Sequence, residues 1–249
     1  MIAIVTGATG DIGEEFVKSL LNEVDLLWAV GRNEEKLNLL KDKYGDKIVP
    51  VMCDLSDHES LLNLCHKIED EKPSIKCLVN NAGVARMAPV SEFPLEEIST
   101  MLDINAKAAT LLCRASLPFM MKGSYILNVA SASAFQPNPY IALYSASKAY
   151  LLSFSRSLNV ENEEVNCIAV CPGWVDTKML PHKSKTGKDI RYPGMVPASK
   201  VVSKALKDCH RGKDVSVCSF FYQYTRFWSK VMPHRLLMRM WVHAIRSYI

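Results

Sequence analysis

Short apolar runs alternate with segments of helical periodicity along most of this sequence. Six of these runs are predicted strands, at residues 2–5, 26–30, 48–53, 77–80, 125–130 and 165–171. They are apolar on both faces, which is typical of strands in a parallel sheet that helices cover on both sides. The alternation therefore predicts an α/β fold, a doubly wound parallel sheet with helices on both faces.

The 249 residues are predicted to form one domain with a tail, because no repeat, low-complexity segment or linker divides the sequence. The domain is expected at residues 1–219 and a helical tail at 220–249. Within the domain, the polar, lysine-rich residues 176–197 predict a mobile loop. Pro197 is expected to open a helix that ends near His210, and residues 215–219 are a candidate seventh strand.

Charge is distributed unevenly along the chain. Residues 215–249 contain five basic and no acidic residues, whereas residues 1–214 contain 25 basic and 26 acidic ones. The nearly neutral body argues against nucleic-acid binding.

The cysteines indicate a reducing compartment. All eight are scattered, without a Cys-x-x-Cys pair, so neither a disulfide framework nor a metal site is predicted. The first residues, MIAIVTGATG, lack the basic region and cleavage site of a secretory signal. No apolar run approaches the roughly 20 residues of a transmembrane helix. We therefore predict a cytoplasmic protein.

A glycine-rich turn joins the first predicted strand to the first helix. In IVTGATGDIG, glycines stand at positions 7, 10 and 13. Glycine permits a tight turn and a close approach of the backbone to a phosphate, and the helix N-terminus supplies N–H donors. The segment predicts a dinucleotide site formed by Gly7, Thr9, Asp11, Ile12 and Gly13. The alternative is an ordinary strand–helix turn.

The end of the second strand indicates which dinucleotide binds. An acidic residue there would hydrogen-bond the ribose hydroxyls of NAD. This chain has Gly31-Arg32-Asn33 instead. The guanidinium of Arg32 suits a 2′-phosphate through its charge and its geometry, so NADP(H) is the predicted cofactor. The alternative is a surface arginine near the start of a helix.

Polar residues that can carry chemistry follow the other predicted strands. Tyr144 and Lys148 are four residues apart on a predicted helix and project from one face. The remaining candidates follow strands or interrupt a helix: Ser131, Asn81-Ala82-Gly83, Pro172-Gly173 and Asn105. The carboxyl ends of parallel strands form the ligand-binding edge of an open α/β sheet. Alternatively, Ser131 is a turn serine and Asn105 a residue that bends its helix.

Jointly, these motifs in this order and spacing resemble the short-chain dehydrogenase/reductase family in its short, single-domain form. The resemblance covers about residues 1–177 and includes TGATGDIG, NNAG, YSASK and PGWVDT. It implies a Rossmann-type sheet and an NADP-dependent carbonyl reductase that interconverts a ketone or aldehyde and an alcohol. It also implies a homodimer or homotetramer, assembled through the helices near 104–121 and 144–161.

The resemblance assigns roles to the matching residues. Asn105 would anchor a water relay to Lys148, which would also hold the nicotinamide ribose. Asp54 would contact the adenine region and Asn81 the adenosine ribose. The other implied coenzyme contacts are Ala82, Gly83, Pro172, Gly173 and Thr177, of which the last three would flank the nicotinamide.

The chemistry of these groups supports proton transfer at Tyr144. A tyrosine in water has a pKa near 10. The Lys148 ammonium is expected to lower the pKa of this phenol, making Tyr144 the acid in reduction and the base in oxidation. Ser131 would hydrogen-bond the carbonyl oxygen and stabilise its developing negative charge.

One position departs from the family pattern. Short-type members usually have TGxxxGxG, whereas this chain has Asp11 instead of the second glycine and reads TGxxGxxG, as in extended-type members that act on nucleotide sugars. A nucleotide-sugar epimerase or dehydratase is therefore one alternative, and a non-catalytic redox sensor or scaffold is another. The Asp11 carboxylate would repel a phosphate unless it turned outward.

The tail at 220–249 is aromatic and basic, and Pro233 is predicted to divide it into two helices. In the second helix, one face carries Arg235, Arg239, His243 and Arg246, and the other carries Leu237, Met240, Trp241, Ala244 and Ile245. Three interpretations stay open: packing on the domain or over the substrate, peripheral contact with an anionic membrane, and contact with a partner subunit. The apolar loop and tail favour a fairly hydrophobic substrate.

Overall fold

The structure, a computed structural model, describes residues 1–178, 180, 190 and 192–245. Its strands are β1 Ile2–Thr6, β2 Leu26–Gly31, β3 Ile48–Met52, β4 Ile75–Asn80, β5 Met120–Val129, β6 Asn166–Val170, β7 Val175–Asp176, β8 Val196–Pro197 and β9 Val215–Ser216. Seven of them form one parallel sheet in the order β3-β2-β1-β4-β5-β6-β9, and β7 pairs with β8. The predicted α/β fold is confirmed.

Helices cover both faces of the sheet. They are α1 Asp11–Leu20, α2 Glu34–Tyr44, α3 His58–Glu71, α4 Leu95–Leu102, α5 Ala108–Ser116, α6 Ala142–Glu161, α7 Ala198–Cys209, α8 Phe220–Val231 and α9 His234–Ile245. Phe16 of α1 lies in one apolar core with Val5, and Leu61 of α3 lies in a second core with Ile4. Successive side chains of a strand point to opposite faces, so β1 contributes to both cores.

The order of the strands reverses between β1 and β4. The chain winds from β1 through β2 and β3 toward one edge, and from β4 through β5 and β6 toward the other. Ligands of open α/β sheets bind at such a switch point, beyond the carboxyl ends of the strands. Thr6 joins the two strand ends here, since its Oγ1 accepts hydrogen bonds from the N–H groups of Asn81 and Ala82.

The helical region expected near 104–121 is interrupted. Asp103–Lys107 forms a π-helical segment between α4 and α5, and β5 begins already at Met120. The apolar run LPFMM at 117–121 has no periodicity that separates a buried helix from a strand. Pro197 pairs in β8 and is the N-cap residue of α7. It therefore precedes the first helical turn, whereas the sequence predicts it inside that turn.

The segment 176–197, predicted to be mobile, is described only in part. Residues 179, 181–189 and 191 lie outside the described part of the chain, as do 246–249 with the predicted basic residue Arg246. The ends of the segment are held together, because Val175 pairs with Val196 and Asp176 with Pro197. In the described ranges, none of the helices combines the length and hydropathy needed to cross a bilayer.

Candidate active site

The glycine-rich turn between β1 and α1 lies at the switch point. Gly7 has a φ of +60°, in the left-handed region that favours glycine. A Cβ at Gly13 would lie 2.0 Å from Gly7 O, so α1 can approach the turn this closely only with glycine there. Asn81 stabilises the turn, since its Nδ2 donates to the carbonyl oxygens of Thr6 and Gly7 at 3.1 Å each.

The first turn of α1 begins without a side-chain cap, because its N-cap is Gly10. The N–H groups of a first helical turn have no partner within the helix, and with the helix dipole they suit an anion. Thr9 is half-buried in the turn. Ile12 packs its side chain against the apolar core.

Asp11 contacts the segment that follows β7. Its carboxylate accepts a hydrogen bond from the backbone N–H of Lys178 at 2.8 Å, across 167 positions of sequence. The neighbouring Thr177 is half-buried. The residue that departs from the family pattern therefore ties the segment after β7 to the start of α1.

Arg32 and Asp54 follow the carboxyl ends of β2 and β3. Arg32 is exposed, and the adjoining strand end is held against the glycine-rich turn by a hydrogen bond from Ala8 N–H to Val30 O. Hydrogen bonds from Ser56 hold the pKa of Asp54 below its ordinary value, and the Arg32 guanidinium adds to this lowering. The two side chains are therefore brought close together beside the turn.

Ser131, Tyr144 and Lys148 meet between the end of β5 and α6. Ser131 is buried and accepts a hydrogen bond from Ser133 N–H at 3.1 Å, and its hydroxyl lies close enough to the Tyr144 phenol to lower the pKa of that group. Lys148 Nζ lies 5.8 Å from the centre of the Tyr144 ring and donates to Val129 O at 2.7 Å. The structure thus brings these three predicted residues together.

The π-helical segment carries Asn105 to the same cluster. Its Oδ1 accepts from Val84 N–H at 2.9 Å, and its Nδ2 donates to Val84 O and to Ser147 Oγ. A Cβ at Gly83 would lie 3.2 Å from Lys148 Nζ and 3.4 Å from Asn105 Oδ1. Glycine at position 83 therefore leaves space beside both the ammonium and the amide.

Burial changes the pKa values of Tyr144 and Lys148 in this cluster. It raises the pKa of the Tyr144 phenol, against the lowering effect of the hydrogen bond with Ser131. It also lowers the pKa of Lys148 from 10.5 to about 8. The pKa of Tyr144 is therefore raised and not lowered as the sequence predicts, because removing the phenolate from water has the largest effect.

The segment after β6 forms another side of the cluster. Pro172 O accepts a hydrogen bond from Ala132 N–H at 2.7 Å, which ties this segment to the turn that begins at Ser131. At Gly173, a Cβ would lie 1.7 Å from Cε2 of Tyr222, so only glycine lets this ring of α8 pack against the backbone.

Tyr222 is a contact that sequence reasoning missed. Its hydroxyl donates to Pro193 O at 3.0 Å and accepts from Trp174 N–H at 3.3 Å, so it joins the residues after β6 to those before β8. The rings of Trp174 and Tyr192 lie 4.9 Å apart in the same place. The aromatic start of the tail was visible in the sequence, but no local pattern links residues 48 positions apart.

Comparison with known proteins matches the sequence of this chain to one family. The family description "short chain dehydrogenase" fits residues 1–188. An uncharacterized oxidoreductase of Staphylococcus epidermidis is 32% identical over 182 residues, which are 72% of this chain and 79% of that protein. The NADP-dependent 3-hydroxy acid dehydrogenase YdfG of Escherichia coli is 32% identical over 164 residues, 65% of this chain and 66% of that protein.

Solved structures share the same sheet and helices. A short chain dehydrogenase from Burkholderia cenocepacia, in complex with NADP, is 26% identical with a TM-score of 0.76, and 97% of each chain is covered. Other solved structures of this fold hold NADPH or NAD. Because the family description spans more than half of the sequence and two curated relatives agree with it, the chain belongs to the short-chain dehydrogenase family of oxidoreductases.

Proposed function

We propose that this chain is an NADP(H)-dependent enzyme that interconverts a ketone or aldehyde and an alcohol, with Tyr144 as general acid in reduction and general base in oxidation. The observation that carries the proposal is the meeting of Tyr144 with Ser131 and Lys148 beside Gly83, at the ligand-binding edge of the sheet. A phenol held between a hydroxyl and an ammonium suits proton transfer to a carbonyl oxygen.

The residues at the switch point fit a dinucleotide coenzyme, which when bound would supply or accept a hydride. Glycine at positions 7 and 13 lets α1 pack closely on the turn, and the uncapped start of α1 presents N–H donors to a pyrophosphate. The exposed Arg32 favours the 2′-phosphate of NADP(H). NADP dependence in the name of the Escherichia coli relative adds support.

The four side chains of the cluster would have different roles in the proton transfer. Burial keeps the Tyr144 phenol protonated near neutral pH, the form that an acid needs. Ser131 would hydrogen-bond the same substrate oxygen and stabilise its negative charge. The Lys148 ammonium, charged below a pH of about 8, would stabilise the phenolate left behind, and Asn105 would hold a water that returns the proton through Lys148.

The substrate is proposed to be fairly hydrophobic. Tyr222 packs against Gly173, and the Trp174–Tyr192 pair lies next to it, so aromatic rings line the segment that would flank the nicotinamide. The relative YdfG is named for 3-hydroxy acids, so acidic substrates belong in the same test.

A homodimer or homotetramer is proposed through α5 and α6. Tyr150 and Val160 of α6 are 46% and 80% exposed, and the Tyr150 ring stacks on Phe154. Light scattering on the purified chain should give twice or four times the mass of 27.9 kDa. A monomer would contradict this proposal.

A cytoplasmic location is proposed from the thiols. The eight cysteines are free and lie within the described residues, and seven of them are buried. Buried thiols of this kind suit a reducing compartment.

A panel of substrates with both coenzymes tests the catalytic proposal. NADPH oxidation should be followed with aromatic ketones, aliphatic ketones, aldehydes and 3-oxo acids, and NADH should be compared on every substrate that reacts. We expect turnover with at least one class and a preference for NADPH. Tight NADPH binding without turnover would instead favour a redox sensor or scaffold, and reaction with a nucleotide sugar would favour an epimerase or dehydratase.

A further inference from the structure

Helix α8 presents its more apolar face to solvent. Four of its residues, spaced four, three and four apart and so along one side of the helix, form what we call the aromatic stripe: Phe220, Tyr224, Phe227 and Val231. Their exposed fractions are 83%, 55%, 59% and 60%. On the opposite side, Ser229 is buried. A helix that only packs on its domain has the reverse arrangement, with its apolar side inward.

Contacts of the inner side fix this orientation. Tyr222 packs against Gly173 and its hydroxyl bonds the backbone of Trp174 and Pro193. The Arg226 guanidinium lies 5.7 Å from the centre of the Phe135 ring. Turning the helix to bury the stripe would break these contacts, so the stripe is a stable feature of the surface.

Of the three interpretations that its sequence leaves open, the second tail helix shows the first, packing on the domain. Of its predicted apolar face, Leu237 and Ile245 are buried and Trp241 Nε1 donates to Pro139 O at 2.9 Å. This helix therefore packs onto the domain. Its cations Arg235 and Arg239 stay exposed, so α9 contributes positive charge to the surface and α8 contributes the apolar contact.

The charge of the tail favours one occupant of the stripe. Residues 215–249 contain five basic and no acidic residues, and Lys230 is exposed beside the stripe. Two copies of this chain would bring two positively charged tails together, which disfavours pairing of the stripe with itself. Exposed aromatic side chains flanked by cations are typical of helices that lie on anionic lipid.

We propose that the aromatic stripe of α8, with the exposed cations of the tail, is a docking surface for an anionic phospholipid bilayer. The protein would bind peripherally, with the rings of the stripe at the boundary between headgroups and acyl chains. The proposal rests on the exposure of the aromatic stripe and on the positive charge of the tail, and its test does not depend on the catalytic proposal.

Cosedimentation of the full chain with vesicles tests the docking surface. We expect binding to mixed phosphatidylglycerol and phosphatidylcholine vesicles, none to phosphatidylcholine alone, and weaker binding as salt is added. Phe220→Ser with Phe227→Ser should weaken binding at least about tenfold. Lys230→Gln should weaken it about fivefold. The matched control is Leu39→Ser with Leu95→Ser, since these side chains are 59% and 79% exposed elsewhere on the surface; it should bind like the unchanged protein.

Five results would overturn the proposal. The first is no binding to anionic vesicles at low salt, and the second is unchanged vesicle binding by the Phe220/Phe227 variant. The third is an equal loss of vesicle binding in the Leu39/Leu95 control. The fourth is light scattering in which only the Phe220/Phe227 variant loses a subunit contact, because a second copy of the chain would then be the occupant. Equally tight binding of soluble polyglutamate, lost in the Phe220/Phe227 variant, would be the fifth, because an acidic protein would then be the occupant. Thermal unfolding followed by circular dichroism checks the fold of each variant.

Discussion

The candidate active site and the neighbouring helix α8 differ in which side chains they bury: the site buries polar groups, and α8 exposes apolar ones. In the site, Ser131 and Lys148 are only 7% and 3% exposed, and each has a hydrogen-bond partner. On α8, Phe220 is 83% exposed. Burying a polar group costs free energy unless the group is hydrogen-bonded, whereas an exposed apolar patch is typical of a surface that binds another molecule. The buried polar groups of the site have partners within the chain, whereas the stripe of α8 is exposed.

Tyr222 connects the two regions. It belongs to α8, but its ring packs against Gly173 in the segment proposed to flank the nicotinamide. A substitution on the inner side of α8 should therefore alter the candidate active site, whereas a substitution in the aromatic stripe should not.

The largest expected effect is in the site. Tyr144→Phe removes the proton donor and keeps the ring, so kcat should fall by about 10²- to 10⁴-fold. NADPH affinity, measured by fluorescence titration, should change little. Full activity in this variant would refute the role of the phenol, and Tyr150→Phe, an exposed tyrosine of the same helix, is the control.

Coenzyme choice should depend on one exposed cation at the edge of the site. Arg32→Asp replaces a partner for the 2′-phosphate with a group that repels it, so the ratio of kcat/KM for NADPH over NADH should fall about 10- to 100-fold. Lys36→Asp, at an exposed position on α2, is the matched control. An unchanged ratio in Arg32→Asp would show that another residue selects the coenzyme.

The pH profile should report the burial of Lys148. Burial disfavours its charged form, so its proton is lost as pH rises through about 8, well below the ordinary value of 10.5. The kcat/KM for reduction should therefore be constant below this pH and fall about tenfold per unit above it. In Lys148→Arg the guanidinium stays charged, so the activity that remains should lack this fall. A flat profile to pH 10 in the unchanged protein would contradict the assignment.

The smallest effect tests the connection through Tyr222. Gly173→Ala should destabilise the protein by about 1–3 kcal/mol in urea unfolding, because the new methyl displaces the ring. Tyr222→Ala removes the ring, so the double variant should be less destabilised than the sum of the two single variants. Additive changes would mean that the contact does not connect α8 to the site.

Much of the fold was predictable because its signals are local. Apolar runs followed by helical periodicity located six strands of the central sheet, and the spacing of Tyr144 and Lys148 placed both on one face of α6. The start of β5 was missed, because residues 117–121 are apolar throughout and suit either a helix or a strand. The raised pKa of Tyr144 was also missed, since burial depends on neighbours that spacing does not reveal.

By itself, the sequence determined the order of the strands along the chain, the glycine turn and the set of polar residues at the strand ends, because each depends on residues close together in the chain. Tertiary structure alone decided that Asp11 binds Lys178 N–H, that Tyr222 packs on Gly173 and that the aromatic stripe of α8 faces outward. These contacts join residues from about 50 to 167 positions apart, and only the packing of the whole chain brings such residues together.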